Sequence, residues 1–385
     1  MRLKCLTFSE LQGQDAEWFL DDLTLSQMNL LVGKNATGKS RTLNVIHFLS
    51  RLLSGEQKEI FSKGSIECVF ERDDNTWEYS IAWDAFVVTG EDLFYNSNKV
   101  LHRGQGGLGR ILAEDIEDKA VHIKFSVPGS QVAVFAKRDD VQHPFLKPLH
   151  DWANSVRLFQ FGTEMTPYNL ALAVKIQDIR IEVNEKETKT LVPIFDKAYK
   201  KLGEPYRDAI ISDMKVLGYD LEKIEIRRPA NLVTNLILPG ELHGVSVRER
   251  ALRCYVDQPS MSQGMFRALS LLAQVNYYAM AEIDACFLVD DIGDGLDFER
   301  SCELIDLLRD KAHRSNFQLL MSSNNRFVMN RVPLEEWCVL QRNGHHVSAR
   351  NYRNSKDVFE RFKITGLSNF DLLTTDFLEK ALPNG

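Results

Sequence analysis

Apolar and polar positions change period along the chain, and the changes mark its elements. Leu3 to Phe8 and Trp18 to Leu25 alternate as strands around the polar turn Gln12-Gly13-Gln14-Asp15. The short apolar run Asn29-Leu30-Leu31-Val32 then predicts a buried strand. After a glycine-containing loop, Arg41 to Leu53 predicts a helix. It carries Leu43, Ile46, Leu49 and Leu53 on one face and Asn44, His47 and Arg51 on another. A β-rich stretch follows. Ser65–Arg72 and Thr76–Trp83 flank Asp73-Asp74-Asn75 as a hairpin, and Ala120–Val127 and Gln131–Phe135 flank Pro128-Gly129 as another. His150 to Ser155 ends a helix, and Val156 to Gln160 reads as a strand.

From Ile176 to Glu225 the pattern turns to charged amphipathic segments. The best helices are Thr190–Leu202 and Tyr206–Leu217, divided by Gly203-Glu204-Pro205. No heptad run survives four repeats, which excludes a long coiled coil. Ile224–Arg228, Leu232–Leu238, Val245–Arg248 and Leu252–Val256 read as short strands. The last third alternates helix Met265–Met280, strand Ala285–Val289, helix Glu299–Lys311 and strand Phe317–Ser322, a βαβ order that predicts a parallel sheet with helical cover. Glu336–Gln341 and His346–Tyr352, joined by Asn343-Gly344, predict a closing hairpin. The division expected is 1–160, 161–255 and 256–385, with the middle part a helical and β insert.

The loop between the third strand and the first helix carries the first chemistry. Gly33-Lys34-Asn35-Ala36-Thr37-Gly38-Lys39-Ser40 fits G-x-x-x-x-G-K-[ST] between a strand and a helix, the context that a Walker A phosphate loop requires. Loop amides and the helix dipole make an anion nest. Lys39 would reach the β- and γ-phosphates of ATP, and Ser40 would sit on Mg²⁺. Arg41 follows directly. About 0.01 such matches are expected by chance in a chain of this length. Gly104-Gln105-Gly106-Gly107-Leu108-Gly109 is read as a loop, because Arg110 to Asp118 is too short and acidic for the helix a dinucleotide fingerprint opens. A second half-site follows the strand Ala285–Val289, which ends in Asp290-Asp291. A carboxylate there suits a Walker B group: Asp290 for Mg²⁺ through water, and Asp291 to orient or deprotonate the attacking water.

Composition narrows the picture further. The 385 residues are 44% hydrophobic and 26% charged, with a formal net charge of −7, so a nucleic-acid contact would need a local basic patch. The clusters Lys197-Lys200-Lys201 and Arg248-Arg250-Arg253 are the candidates, with solvated faces as the competing explanation. Six scattered cysteines without a C-x-x-C pair argue for reduced thiols, each a small buried hydrophobe. No apolar run approaches the ~20 residues of a membrane span. The expectation is a soluble cytoplasmic protein that makes no membrane contact.

Ahead of the acidic strand end lies Pro259-Ser260-Met261-Ser262-Gln263-Gly264-Met265-Phe266-Arg267. It resembles the ABC signature in the form S-x-G-x-x-R, as found in ATPase domains of the OLD (overcoming-lysogenisation-defect) and SMC-like families. Gly295-Leu296-Asp297 resembles their D-loop, and Gln318 to Arg326 resembles the strand that carries their switch histidine. The resemblance runs from Met1 to about Tyr352. It implies an α/β P-loop NTPase with an ABC-type head: a mixed and parallel sheet core, an antiparallel β-subdomain and a helical insert. It further implies ATP sandwiched between two heads of a homodimer or higher homo-oligomer, with Ser262, Gln263 and Gly264 of one head meeting the γ-phosphate held by the other. Gln160, at a strand end, is the candidate for the family's metal-contacting glutamine, with a buried polar residue as the equal alternative. Two positions depart from the family pattern: Asp291 stands where Glu is usual, and Asn324 aligns with the switch histidine.

The expected function is an ATP-gated dimeric ATPase switch, working in anti-phage defence or DNA processing with a separate effector protein, with DNA a candidate partner. The competing expectation is a sensor or scaffold with negligible turnover. A transporter's nucleotide-binding subunit is the weaker third.

Overall fold

The computed structural model describes residues 1–57, 62–114, 120–162, 165–173, 186, 188–230 and 240–378. The chain opens with β1 (Arg2–Glu10), β2 (Trp18–Thr24) and β3 (Met28–Val32), followed by α1 (Lys39–Ser54). α1 forms where predicted. Its apolar residues Leu43, Ile46, Leu49 and Leu53 are buried on one side, and it stops at Gly55, whose φ of +77° suits the left-handed helix end. Then come β4 (Lys63–Arg72), β5 (Asn75–Asp84), β6 (Val87–Tyr95), β7 (Asn98–Arg103), β8 (Leu108–Glu114) and β9 (Ala120–Ser126). The short α2 (Ala133–Ala136) and α3 (Lys147–Ser155) follow.

β10 (Val156–Gln160) leads into a second region. It continues with β11 (Ala171–Ala173), α4 (Leu191–Leu202), α5 (Glu204–Val216), β12 (Leu221–Arg227) and β13 (Glu241–Glu249). α6 (Gln263–Met280), β14 (Ala285–Asp290), α7 (Phe298–Arg314), β15 (Phe317–Ser322) and α8 (Arg326–Arg331) complete it. The chain then returns through the hairpin β16 (Trp337–Asn343) and β17 (His346–Asn351) and ends in α9 (Lys356–Ile364) and α10 (Asp371–Thr374).

These elements form two compact units, Met1–Val156 with Pro333–Gly385, and Arg157–Val332. In the first, the strands run in the order β3-β16-β17-β2-β1-β4-β5-β6-β7-β8-β9. β3 and β16 pair in parallel, as do β17 and β2, while β1 and β4 through β9 form an antiparallel meander. The meander encloses a fully buried ion pair. Arg103 meets Glu91 at 3.3 Å, and the Glu91 carboxylate also accepts from the N–H groups of Ala133 (2.7 Å) and Val134 (2.9 Å). Burial pushes the Glu91 carboxyl upward, and those amides and Arg103 oppose the shift. Gln131 to Phe135 was expected to be a strand; α2 forms instead because Glu91 caps its N–H groups from across the sheet.

The second unit holds β10, β14 and β15 as neighbouring strands, with β14 and β15 parallel and joined through α7 in the predicted βαβ order. A separate antiparallel sheet has the order β11-β13-β12. α6 is buried continuously from Gly264 to Tyr278. Tyr206 Oη donates to its Ala273 carbonyl at 2.9 Å, and Lys311 bridges Asp213 and Asn276, both at 2.9 Å, tying α5, α6 and α7 together. The expected strand at Leu252–Val256 reduces to a single bridge between Val256 and Val247. The strand expected at Leu232–Leu238 lies outside the described residues. Among the described residues, no helix is long and apolar enough to cross a membrane.

Candidate functional site

In the first unit, β3 is buried throughout and delivers the chain into the loop 33–38. Gly33 has no room for a side chain: a Cβ there would lie 2.7 Å from the Leu340 carbonyl oxygen and from Thr37 Oγ1. Gly38 has φ +101° and serves as the N-cap of α1 without a capping side chain. The first turn of α1 contains no acidic residue, which suits an anion at its N-terminus. Lys39 is 7% exposed, and its ammonium donates to the carbonyls of Gly33 (2.9 Å) and Lys34 (3.2 Å). Thr37 Oγ1 donates to the same Lys34 carbonyl at 2.9 Å, and Arg342 donates to that of Ala36 at 3.1 Å. Arg41 turns away from the loop, lying over the Trp18 ring at 4.3 Å and pairing with Glu10 at 2.7 Å. Lys34 Nζ pairs with Asp376 at 2.7 Å. Ser40 follows Lys39 in the first turn of α1, and Asn35 is an exposed residue of the loop.

In the second unit, β14 ends at Asp290, which is 9% exposed. Ser322, at the end of the adjacent β15, donates its hydroxyl to Asp290 Oδ1 and accepts from the Asp291 N–H at 2.9 Å. Asp291 sits at φ +53°, so the chain turns sharply as it leaves the strand. On the other side of β14, Phe161 N–H donates to the Asp290 carbonyl at 3.2 Å. Asp291 Oδ2 lies 3.5 Å from where a Gly162 Cβ would stand. Gln160 therefore ends its strand beside the paired aspartates. Within this unit, Asp290 and Gln160 offer hard oxygen donors, the chemistry Mg²⁺ takes. Asn324 is exposed just beyond β15, while its neighbour Asn325 accepts from Phe327 N–H at 2.9 Å as the N-cap of α8.

The signature-like segment caps α6. Ser262 Oγ accepts from Met265 N–H at 3.2 Å, and Ser262 and Gln263 are exposed. Gly264 is required by close approach, since a Cβ would stand 2.3 Å from the Gly295 carbonyl oxygen. The same junction is clamped by Arg267, 4% exposed, which pairs with Asp294 Oδ2 at 2.8 Å and donates to the Asp294 carbonyl at 2.9 Å. Asp297 caps α7, accepting from Arg300 N–H at 3.0 Å and pairing with the Arg300 guanidinium. The second unit thus packs the signature-like and D-loop-like segments against each other.

Three features escaped sequence reasoning. Ser322 couples the two aspartates, yet a serine after an apolar strand gives no signal by itself. Arg267 and Asp294 act as a clamp visible only in three dimensions. The third is a basic face: Lys99, His102, Arg110 and His122, with Leu101, line a cavity of about 450 Å³ in the first unit. His102 lies opposite Arg110, and Arg110 opposite Lys124, across β7, β8 and β9. Asp92 pairs with Lys99 (3.1 Å) and His102 (2.7 Å), but among the described residues neither Arg110 nor Lys124 has a carboxylate partner. Half of the residues in the clusters read from sequence are paired with acids: Lys200 with Asp196, Arg248 with Glu222 and Arg250 with Asp220.

The cysteines are all free. Burial pushes the Cys286 and Cys338 thiols up to about 12, so they behave as inert apolar groups. Cys254 is exposed and Cys5 and Cys302 are half-buried, departing from the expected buried role; Cys254 lies in the stretch 252–256, whose expected strand does not form.

No protein-family model and no curated protein sequence matches the chain. Solved structures do resemble it. An SMC head bound to the C-winged helix domain of ScpA matches with a TM-score of 0.51 at 11% identity, over 91% of this chain and 97% of that one. An SMC head domain from Thermotoga maritima matches with a TM-score of 0.41 at 15% identity, over 91% and 99%. An Smc head domain with an extended coiled coil, bound to the C-terminal domain of ScpA derived from Pyrococcus furiosus, gives 0.48 at 11%, over 94% and 99%. The first of these likenesses shows the fold. The chain has the mixed α/β fold of that SMC head.

Proposed function

We propose that the chain is an ATP-binding and ATP-hydrolysing head of the ABC type that works as an ATP-gated dimeric switch. The observation that carries this proposal is the strand–loop–helix at 28–54, whose acid-free helix start and buried Lys39 suit a polyphosphate. Lys39 would leave the loop carbonyls for the β- and γ-phosphates, with the amides of Gly33 to Arg41 around them. Mg²⁺, held by Ser40, Asp290 and Gln160, would neutralise phosphate charge when bound. Asp291 would orient the attacking water and Asn324 a phosphate oxygen. Ser262, Gln263 and Gly264 would offer the N-terminus of α6 to the γ-phosphate held by a second copy, with Asp297 beside them in the D-loop. The OLD-like form of these motifs supports a role beside a separate effector protein, in anti-phage defence or DNA processing.

Ser262→Arg tests the dimer. ATP binding by each chain should persist, because the phosphate loop is untouched, and loss of the α6 cap costs only about 1 kcal/mol. Dimerisation with a non-hydrolysable ATP analogue should be lost, since a bulky cation would fill the docking position. Light scattering that shows normal analogue-driven dimers in the variant refutes a signature acting in trans.

The basic face of β7–β9 favours DNA as a partner through its phosphate backbone. A fluorescent duplex should bind weakly at 50 mM salt and be released by 200 mM, because each phosphate contact releases counterions. Arg110→Glu with Lys124→Glu should remove that binding. Binding that ignores both salt and the double substitution would place the contact elsewhere.

A further inference from the structure

We propose that the C-terminal segment is an electrostatic latch on the phosphate loop, with Asp376 holding Lys34 until a nucleotide displaces it. The inference rests on the nucleotide-site reading of residues 33–40 and adds a regulator to it.

The segment is anchored where it needs to be. α9 buries Val358, Phe359 and Phe362, and beyond it Leu372 and Leu378 are buried at 1% and 2% exposure. Phe377 packs edge-on against Phe362, with ring centroids 5.2 Å apart. Between these anchors Asp376 adopts φ +50° and reaches Lys34 Nζ at 2.7 Å. The anchors are apolar and the reaching residue is an acid, so packing holds the segment while the carboxylate meets the loop.

Lys34 is a consequential residue to hold. Its carbonyl accepts both Thr37 Oγ1 and Lys39 Nζ, so its position sets the floor of the loop. Its ammonium is the loop's outward-facing cation, with the side chain 61% exposed. An incoming polyphosphate is attracted to that cation and repelled by the aspartate beside it. Asp376 therefore opposes nucleotide binding twice, by neutralising Lys34 and by adding negative charge at the loop. The pair is exposed to solvent, which keeps its strength modest and its release easy. A pair of this kind is worth about a two- to fivefold change in an equilibrium, a range suited to tuning a switch.

The test is calorimetric titration of the full chain with a non-hydrolysable ATP analogue and Mg²⁺. Asp376→Asn should tighten binding about two- to fivefold, and Asp376→Lys should tighten it further. In 1 M salt the wild-type and Asp376→Asn affinities should converge, because the screening length falls to about 3 Å. Unchanged melting temperatures separate the latch from a structural role, because the apolar anchors are untouched. Affinity that is unaltered or weakened in Asp376→Asn, with the wild type binding normally, overturns the latch and leaves the nucleotide site standing. Binding that appears only in the Asp376 variants supports the latch. Binding in none of the proteins overturns both.

Discussion

Lys39→Ala is expected to weaken ATP binding at least about 100-fold, roughly 2.7 kcal/mol, while the protein stays folded. The size follows from what the ammonium does. It carries three donors and a full charge, and hydrogen bonds to charged groups contribute about 1.5–3 kcal/mol each. In the structure those donors serve the carbonyls of Gly33 and Lys34, so the side chain already lies across the loop. Neither Arg41, committed to Trp18 and Glu10, nor Lys34, paired with Asp376, is placed to substitute for it. The cost to stability should be small, because Thr37 still satisfies the Lys34 carbonyl and α1 keeps its buried apolar face. Titration calorimetry beside a thermal melt checks both halves. Unchanged affinity in a folded variant would remove the phosphate loop from the proposed function.

The strand–loop–helix that carries residues 33–40 was legible in the sequence because strand, glycines and helix are contiguous. The β14–α7–β15 unit was legible for a similar reason: its continuous apolar strands and amphipathic helix have distinct periods. β6 and β7 were not. Their turns place Ala85, Phe86, Asn96 and Ser97 at positive φ, an arrangement that no strong turn dipeptide announces. The short helix α2 was missed because its cap, Glu91, lies more than forty residues away in sequence. The basic face was invisible for the same kind of reason. Lys99, Arg110 and Lys124 are scattered along the chain, and only cross-strand register brings them together. Conversely, within the arginine cluster that sequence displays, Arg248 and Arg250 meet Glu222 and Asp220, acids that the fold brings from a distant stretch of chain.

Turnover is where the departures at 291 and 324 should show, and a slow ATPase is the expected result. Asp291 leaves β14 at φ +53° with its N–H held by Ser322 Oγ, and Ser322 also holds Asp290. The backbone under Asp291 is therefore fixed by the strand beside it and has little freedom to advance. An aspartate there reaches about one bond length less far than the usual glutamate. Misplacement of about 1 Å can cost on the order of 100-fold in rate. Asn324, exposed beyond β15, can donate a hydrogen bond to a phosphate oxygen but neither takes up nor releases a proton at neutral pH. Phosphate binding depends on neither residue, so affinity should be spared while hydrolysis is slowed, which favours a long-lived ATP state. Single-turnover hydrolysis by the wild-type chain should run well below about 10 per second, the typical enzyme median. Asp291→Asn should lower it by a further 10²- to 10⁴-fold, the usual contribution of a positioned base, with ATP affinity retained. Asp291→Glu should raise it if reach is the limiting defect. Ser322→Ala is the control for position: with both carboxylates intact, it should slow hydrolysis by leaving the metal-facing Asp290 carboxylate without the hydroxyl that orients it. A rate in Asp291→Asn equal to that of the wild type would instead assign the chain to the non-hydrolysing sensors, in which ATP binding alone sets the switch.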